Sequence, residues 1–126
     1  MSHRIRLAGP WDISRDGHVW DRAALPLPET VADQAIQLRR RFHRPTGLTA
    51  ASVVTLVVIA SGPAATLLLN DEPIGSLHCE EQNGTVSTAF DVTERLQEFN
   101  TALLRTDPAS ESGPQQIVAV HLMIED

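Results

Sequence analysis

Acidic, histidine and cysteine side chains are the groups of this chain that could take part in catalysis, and their spacing argues against it. Glycoside hydrolysis needs two carboxylates held at a defined separation across a cleft. The neighbours Glu80-Glu81 would point to opposite faces of a strand, and Asp71-Glu72 lies in a turn signal. Cys79 follows His78, but a Cys–His pair works through a spatial contact that neighbours on a strand do not make. We predict no catalytic residues and no enzymatic activity.

Metal ligation is not indicated either. Four side chains could bind zinc, but they lack the short spacing of a zinc site: His43, His78, Glu80 and His121. Three aspartates offer the oxygen ligands that calcium prefers, without a calcium-loop motif around them: Asp12, Asp16 and Asp91. The single cysteine, Cys79, excludes an internal disulfide and is interpreted as a half-buried structural thiol. We expect no metal and no cofactor.

Carbohydrate binding is the sharpest ligand hypothesis that the side chains allow. Sugar rings stack on exposed aromatic faces, and polar neighbours bind the hydroxyl groups. Four aromatic residues lie at positions that we expect in the core: Trp11, Phe42, Phe90 and Phe99. Trp20, with His18 and Asp21 beside it, is therefore the candidate ligand-binding site. The alternative, that Trp20 also belongs to the core, stays open.

The charge of the chain restricts its partners. Its 126 residues carry a formal net charge of -6, from 16 acidic residues against 10 arginines and no lysine. A negative domain repels phosphate backbones, so we expect no nucleic-acid binding. Arg39, Arg40, Arg41 and Arg44 lie together, but strand alternation divides them between two faces. No stretch has the length of a membrane span and no signal-peptide core is visible, so we expect no membrane association and favour the cytoplasm.

An apolar run from Val53 to Ile59 is the centre of the predicted fold. Successive side chains of a strand point to opposite faces, and this run is apolar on both. The stretch from Ile117 to Ile124 has the same character. A strand that is apolar on both faces belongs in the middle of a layered β structure. We predict that both faces of the Val53–Ile59 strand are buried, and that Ile117–Ile124 is a closing strand apolar on both faces.

Turn signals divide the rest of the chain into short strands. Asp16-Gly17, Asn70–Pro73 and Asn83-Gly84 are typical of tight turns. Leu25–Pro28 should lie along an edge or across the surface, because proline donates no ladder hydrogen bond. Asp91–Asn100 could hold one short helix, capped by Asp91 or Thr93. About eight strands with one short helix indicate a single all-β domain over residues 1–126, an antiparallel β-sandwich of the jelly-roll type.

Arg40 is an anomaly in the strand predicted from Gln34 to Arg44. It falls between Leu38 and Phe42 on the apolar face, where an unpaired guanidinium would be costly. We predict that it caps backbone carbonyls or pairs with a carboxylate, Asp91 being the first candidate. A β-bulge that turns Arg40 outward is the alternative.

Four stretches, in this order, resemble the galactose-binding-domain-like jelly-roll, in particular the N-terminal sugar-binding domain of family 2 glycoside hydrolases: LAGPWDIS (Leu7–Ser14), LRRRFHRP (Leu38–Pro45), LLLNDEPIG (Leu67–Gly75) and FDVTERLQEFNTALLRT (Phe90–Thr106). The sequence departs from the family pattern at three positions. Leu38 stands where an aromatic residue is usual, and Asp71 and Phe99 each stand where glycine is usual. In that family the catalytic carboxylates lie in a separate barrel domain. The resemblance therefore implies a non-catalytic module.

The function that we predict from the sequence is a non-catalytic binding or protein-interaction module of unknown ligand. A carbohydrate-binding module related to glycoside hydrolase accessory domains is the alternative. The partner would be a carbohydrate or a protein, and a homo-oligomer is left open. The docking surface would be Leu25–Pro28 or an unpaired outer strand. A flat apolar patch shared by two copies would favour assembly, whereas an exposed Trp20 in a concave patch would favour sugar binding.

Overall fold

The computed structural model describes residues 2–7, 10–23, 25, 36–61, 65–77, 86–106 and 116–125. Their backbone forms ten strands: β1 (Ser2–Arg6), β2 (Trp11–Ser14), β3 (Asp21–Ala23), β4 (Gln37–His43), β5 (Val53–Ser61), β6 (Ala65–Leu69), β7 (Glu72–Leu77), β8 (Val86–Asp91), β9 (Phe99–Thr106) and β10 (Gln116–Glu125). One sheet has the order β1-β10-β5-β8 and the other β3-β2-β4-β9-β6-β7. All of these pairings are antiparallel. The predicted all-β sandwich is confirmed, with more strands than the turn signals indicated.

Some predictions concern residues outside the described ranges. They are those on Pro26–Pro28, His78, Cys79, Glu80-Glu81 and the Asn83-Gly84 turn. Within the described ranges, no helix has the length and hydropathy needed to cross a membrane.

The core lies between the two sheets and is built from the inward side of each strand. Val54, Leu56 and Val58 of β5 are completely buried. The six-stranded sheet faces them with equally buried leucines: Leu38, Leu67 and Leu104. A strand with this alternation places every second side chain in the core. The burial of these apolar side chains is the main contribution to the stability of the fold.

Three of the four aromatic residues expected in the core contact it. Trp11 is fully buried, and its indole N–H donates a hydrogen bond of 2.9 Å to the Leu7 carbonyl. Phe42 is buried, and the half-buried Phe90 packs against the same cluster. The prediction for Phe99 is wrong, because β9 begins there with Asn100 turned inward. Phe99 is consequently 65% exposed.

The predicted short helix is replaced by a turn. In the described stretch between β8 and β9, residues 93–95 form a single turn, closed by a 3.0 Å hydrogen bond from the Arg95 N–H to the Val92 carbonyl. Thr93 is held in place, because its hydroxyl oxygen accepts a 2.8 Å hydrogen bond from the Val54 N–H across to β5. Asp91 accepts a hydrogen bond from the Thr93 N–H at 3.0 Å. The side chains expected to cap a helix thus stabilise a turn that never extends into one.

Arg40 lies on the inward side of β4, as its position in the sequence predicts. The register from β4 to β9 runs without a bulge, with Arg40 opposite Ala102. Nη1 of the half-buried Arg40 donates a 2.7 Å hydrogen bond to the Arg41 carbonyl, which confirms the predicted capping of a backbone carbonyl. The prediction that Asp91 is the partner of Arg40 is wrong. Arg40 lines an open depression of about 250 Å³ beside Leu122 of β10, whereas Asp91 belongs to β8 at the far edge of that sheet.

Candidate functional site

The three residues predicted to bind a ligand lie at the β2–β3 hairpin. Asp16 fixes this hairpin, because its Oδ1 accepts hydrogen bonds from the N–H groups of Val19 (2.9 Å) and His18 (2.8 Å). These bonds stabilise the carboxylate and lower the pKa of Asp16 to about 2. His18 and Asp21 are exposed, whereas Trp20 is half-buried. The ligand role of the three residues stays a prediction.

The Trp20 ring is stacked on a guanidinium group. Cζ of Arg39 lies 3.9 Å from the centroid of the ring, a cation–π contact. The same side chain bonds Asp12, with Nη2 3.3 Å from Oδ2, because β2 and β4 place these two residues directly opposite each other. Protein therefore occupies one face of the predicted sugar platform. Sequence reasoning missed Arg39 because it is distant from Trp20 in the chain, although strand alternation already placed it on the outward side of β4.

A second candidate surface is the outward side of the four-stranded sheet, which we call the outer face. Its side chains are mainly apolar, with the charged Glu125 at the end of β10: Val53, Thr55, Val57 and Ile59 of β5, Ala119, His121, Met123 and Glu125 of β10, and Ala89 of β8. Val53 is 43% exposed at one end, and Val57 at the centre is 8% exposed. The prediction that both faces of β5 are buried is confirmed for the inward side and for Val57, and is wrong for Val53, which is exposed, and Ile59, which is half-buried. Among the described residues, only the inward side of this sheet packs against another layer.

Opposite charges flank the outer face. Arg4 and Arg6 are exposed at the β1 edge and point to the same side as the outer face. At the β8 edge, hydrogen bonds from the Thr93 hydroxyl and N–H lower the pKa of Asp91, so its carboxylate is ionised at neutral pH. Burial, with a contribution from the Arg4 charge, lowers the pKa of His121 between the two edges. The outer face is thus positive along the β1 edge and negative at the β8 edge, and Glu125 adds a second anion at the end of β10 beside Val53.

The outward side of the six-stranded sheet differs from the outer face. It carries mainly polar and charged residues, with two leucines among them: Gln37, Arg39, Arg41 and His43 of β4, Thr101, Leu103 and Arg105 of β9, and Leu68 of β6. The exposed Phe99 is covered at one edge by the His43 ring, with a centroid distance of 4.9 Å. A sheet face of this composition is stable in water without a further layer.

The described part of the chain offers little support for a metal site or for catalysis by ionisable side chains. No group of three or more His, Cys, Asp or Glu side chains there could hold a metal ion. His43 and His121, two of the zinc candidates, lie on different sheets. An open depression of about 440 Å³ contains the carboxylates of Asp91 and Glu94. A general acid needs a raised pKa, whereas the pKa of Asp91 is lowered.

The two-sheet sandwich occurs in glycoside hydrolases of known structure. A β-glucuronidase from Facaelibacterium prausnitzii L2-6 matches with a TM-score of 0.79 and 17% identity, over 98% of this chain and 22% of that one. A Bacteroides uniformis β-glucuronidase matches with a TM-score of 0.77 and 19% identity, over 98% and 18%. A β-D-mannosidase from Dictyoglomus thermophilum matches with a TM-score of 0.66 and 19% identity, over 83% and 16%. No protein-family model and no curated protein sequence matches the chain.

These matches confirm the resemblance to the sandwich domain of family 2 glycoside hydrolases at the level of the fold. The chain spans less than a third of each of the three enzymes. Identities this low establish a shared fold, and a fold hosts many functions. The matches therefore show that the chain has the fold of one part of larger enzymes. Its role has to be argued from its own surface.

Proposed function

We propose that this chain is a non-catalytic module that binds another protein, and that the outer face is its docking surface. The observation that carries the proposal is that apolar side chains of β5 and β10 remain accessible to solvent. Both strands are apolar on both sides, yet Val53, Ile59 and Met123 remain half-buried or exposed in the single chain. Contiguous apolar surface of this kind marks interaction sites.

The energetic reason is the apolar area that docking would remove from water. Each Å² of buried apolar surface contributes about 25 cal/mol. Because the outer face is formed by paired strands that are already in place, apart from a register shift between Ile117 and Ala119, a partner can cover it without any change in the fold.

The non-catalytic part of the proposal is supported by coverage and by chemistry. The chain corresponds to 16% of the mannosidase and 22% of the first glucuronidase, which leaves most of each enzyme outside the match. The two carboxylates of the 440 Å³ depression, Asp91 and Glu94, are both at an open edge. A water-filled open edge gives little of the electrostatic preorganisation that catalysis requires.

Carbohydrate binding is the second candidate, and the structural neighbours are the observation in its favour. The enzymes are named for different sugars, a glucuronide and a mannoside, while sharing the sandwich, so the fold itself does not select a sugar. The contact of Arg39 with Trp20 reduces the aromatic surface that a sugar could use. A glycan array tests this alternative. Selective binding that is lost in Trp20→Ala, with the domain still folded, would favour it over protein docking.

Site-specific photo-crosslinking tests the docking surface. The photoreactive residue p-benzoylphenylalanine is introduced at Val53 or Met123 of the outer face, in the cells that naturally make the protein. The control is Phe99, an exposed aromatic residue on the other sheet. We expect a crosslinked polypeptide, identified by mass spectrometry, from the two outer-face positions and none from Phe99. Absence of crosslinks from the outer face, or equal crosslinking from Phe99, would contradict the proposal.

A further inference from the structure

We propose that the outer face binds a second copy of this chain, packed face to face about a two-fold axis parallel to the strands. The inference rests on the docking role proposed above and adds the identity and orientation of the partner. It is based on the positions of the charged side chains in the rows of paired residues that run across the four strands.

Two rows cross the outer face from the β1 edge to the β8 edge. The first contains Arg4, Met123, Thr55 and Asp91. The second contains Arg6, His121, Val57 and Ala89. Both rows begin with a cation, both have largely uncharged centres, and the first ends with an anion. The two rows are therefore polarised across the strands, while Glu125 of β10 is a further anion at the end of the face, beside Val53.

A two-fold axis in the interface and parallel to the strands reverses each row. Given the order β1-β10-β5-β8, β1 of one copy then lies over β8 of the second copy, and β10 lies over β5. Arg4 faces Asp91 of the second copy, and by symmetry the same pair forms again at the other edge. Two-fold interfaces use one self-complementary patch twice, as this arrangement does.

The other in-plane axis, perpendicular to the strands, is disfavoured by the same charges. It would place β1 over β1 and β8 over β8. Arg4 and Arg6 would then face the arginines of the second copy, and Asp91 would face another Asp91. Like charges brought together at an interface cost several kcal/mol, so charge selects the first axis.

The centre of the interface is compatible with a dry contact. With the first axis, Met123 lies over Thr55 of the second copy, and His121 lies over Val57. None of these four groups needs to carry a charge, because burial already lowers the pKa of His121. Sheets packed in aligned sandwiches pair uncharged faces in the same way, about 10 Å apart.

The size of the face predicts a reversible dimer. Four strands spaced about 4.8 Å apart, with about 3.4 Å per residue along them, give each copy a footprint on the order of 450 Å². Two such faces give about 900 Å² in total, below the roughly 1,200 Å² of standard specific interfaces and in the size range of weak complexes. We therefore expect an equilibrium that shifts with concentration between about 1 μM and about 1 mM, the range of weak complexes.

Ala89 allows a matched test of both the interface and its orientation. It is exposed at the β8 edge, and the proposed axis places it over Arg6 of the second copy. Ala89→Glu creates two new attractive pairs per dimer, whereas Ala89→Arg creates two repulsive ones. Sedimentation velocity across the concentration series should show tighter dimerisation for Ala89→Glu than for the wild type, and weaker for Ala89→Arg. A difference of at least tenfold in Kd between the two variants is expected, about 1.4 kcal/mol.

Two controls distinguish a specific charge effect at position 89 from misfolding and from a general effect of surface charge. Circular dichroism verifies that both variants fold, and the pair Thr101→Glu and Thr101→Arg on the other sheet should leave Kd unchanged. A wild-type chain that stays monomeric, or a dimer indifferent to the sign of the charge at position 89, would overturn the inference. If the crosslinks from Val53 identify a different polypeptide while the chain is monomeric, the docking role stands and the homodimer is refuted. If no crosslink forms, the docking role itself fails.

Discussion

Asn70 and Asn100 are joined side chain to side chain, with Nδ2 of Asn70 donating to Oδ1 of Asn100 over 3.1 Å. Asn70 occupies the β6–β7 turn at φ 52°, a left-handed conformation that asparagine tolerates better than most residues. Asn100 is 2% exposed, accepts from the Gln97 N–H and donates to the Gln97 carbonyl, each at 2.8 Å. The pair thus ties a turn at the end of β6 to the loop that leads into β9.

Asn100→Ala should destabilise the domain by about 2–4 kcal/mol, since it leaves buried polar groups without partners. Urea denaturation measures the change in the free energy of unfolding. Asn70→Asp is the comparison, because it keeps the oxygen that accepts from the Thr101 N–H at 2.9 Å and changes only the contact with Asn100, where an acceptor replaces the donor. It should cost less than Asn100→Ala. Equal costs would show that Asn100 has no separate role in the loop.

Arg39→Ala should change the emission of Trp20, because it removes the cation 3.9 Å from the ring centroid. The expected loss of stability is about 0.5–2 kcal/mol, the combined range of a cation–π contact and a partly exposed ion pair. Tryptophan fluorescence in the native state and during thermal unfolding measures both effects. Arg41→Ala, on the same side of β4, should change neither. An unaltered spectrum in Arg39→Ala would refute the stacked arrangement.

Gly75→Ala should destabilise the contact that closes the sandwich between β7 and β8. A Cβ at this position would lie 2.8 Å from Cε1 of Phe90, so the ring would have to move. Overpacking of this kind costs about 1–3 kcal/mol. The double variant Gly75→Ala/Phe90→Leu makes room for the new methyl group and should recover part of the loss caused by Gly75→Ala. Simple additivity of the two single changes would contradict a direct contact.

Stability should fall as the pH drops from 7.5 to 5.5. Burial and the nearby Arg4 lower the pKa of His121 in the folded state, so the unfolded chain binds a proton more readily in this range. Stability rises with pH wherever the unfolded state binds more protons, and acidification below the ordinary histidine value of about 6.5 therefore favours unfolding. Urea denaturation at both pH values, at a concentration low enough to keep the chain monomeric, measures the effect. His121→Gln should reduce the difference. The lowered pKa values of Asp16 and Asp91 act only at more acidic pH.

Local sequence patterns determined the elements of this fold. Alternation identified the buried side of β4, the Asn70–Pro73 turn signal predicted the β6–β7 hairpin, and Arg40 was correctly placed on the inward side of β4. These features depend on residues close together in the chain, where the period of the backbone relates side chains directly to faces. The ordered motifs from Leu7 to Thr106 also led to the right fold.

Tertiary structure decided what the elements do together. The stretch after Asp91 has residues suited to cap a helix, but Thr93 accepts a hydrogen bond from the Val54 N–H of β5 and the chain forms a turn there. The partner of Trp20 proved to be Arg39, brought there by strand pairing rather than by chain proximity. The sequence showed that β5 and β10 are apolar on both sides. Only the packing of the sheets could show which side the chain covers itself, because burial depends on contacts between residues distant in the sequence.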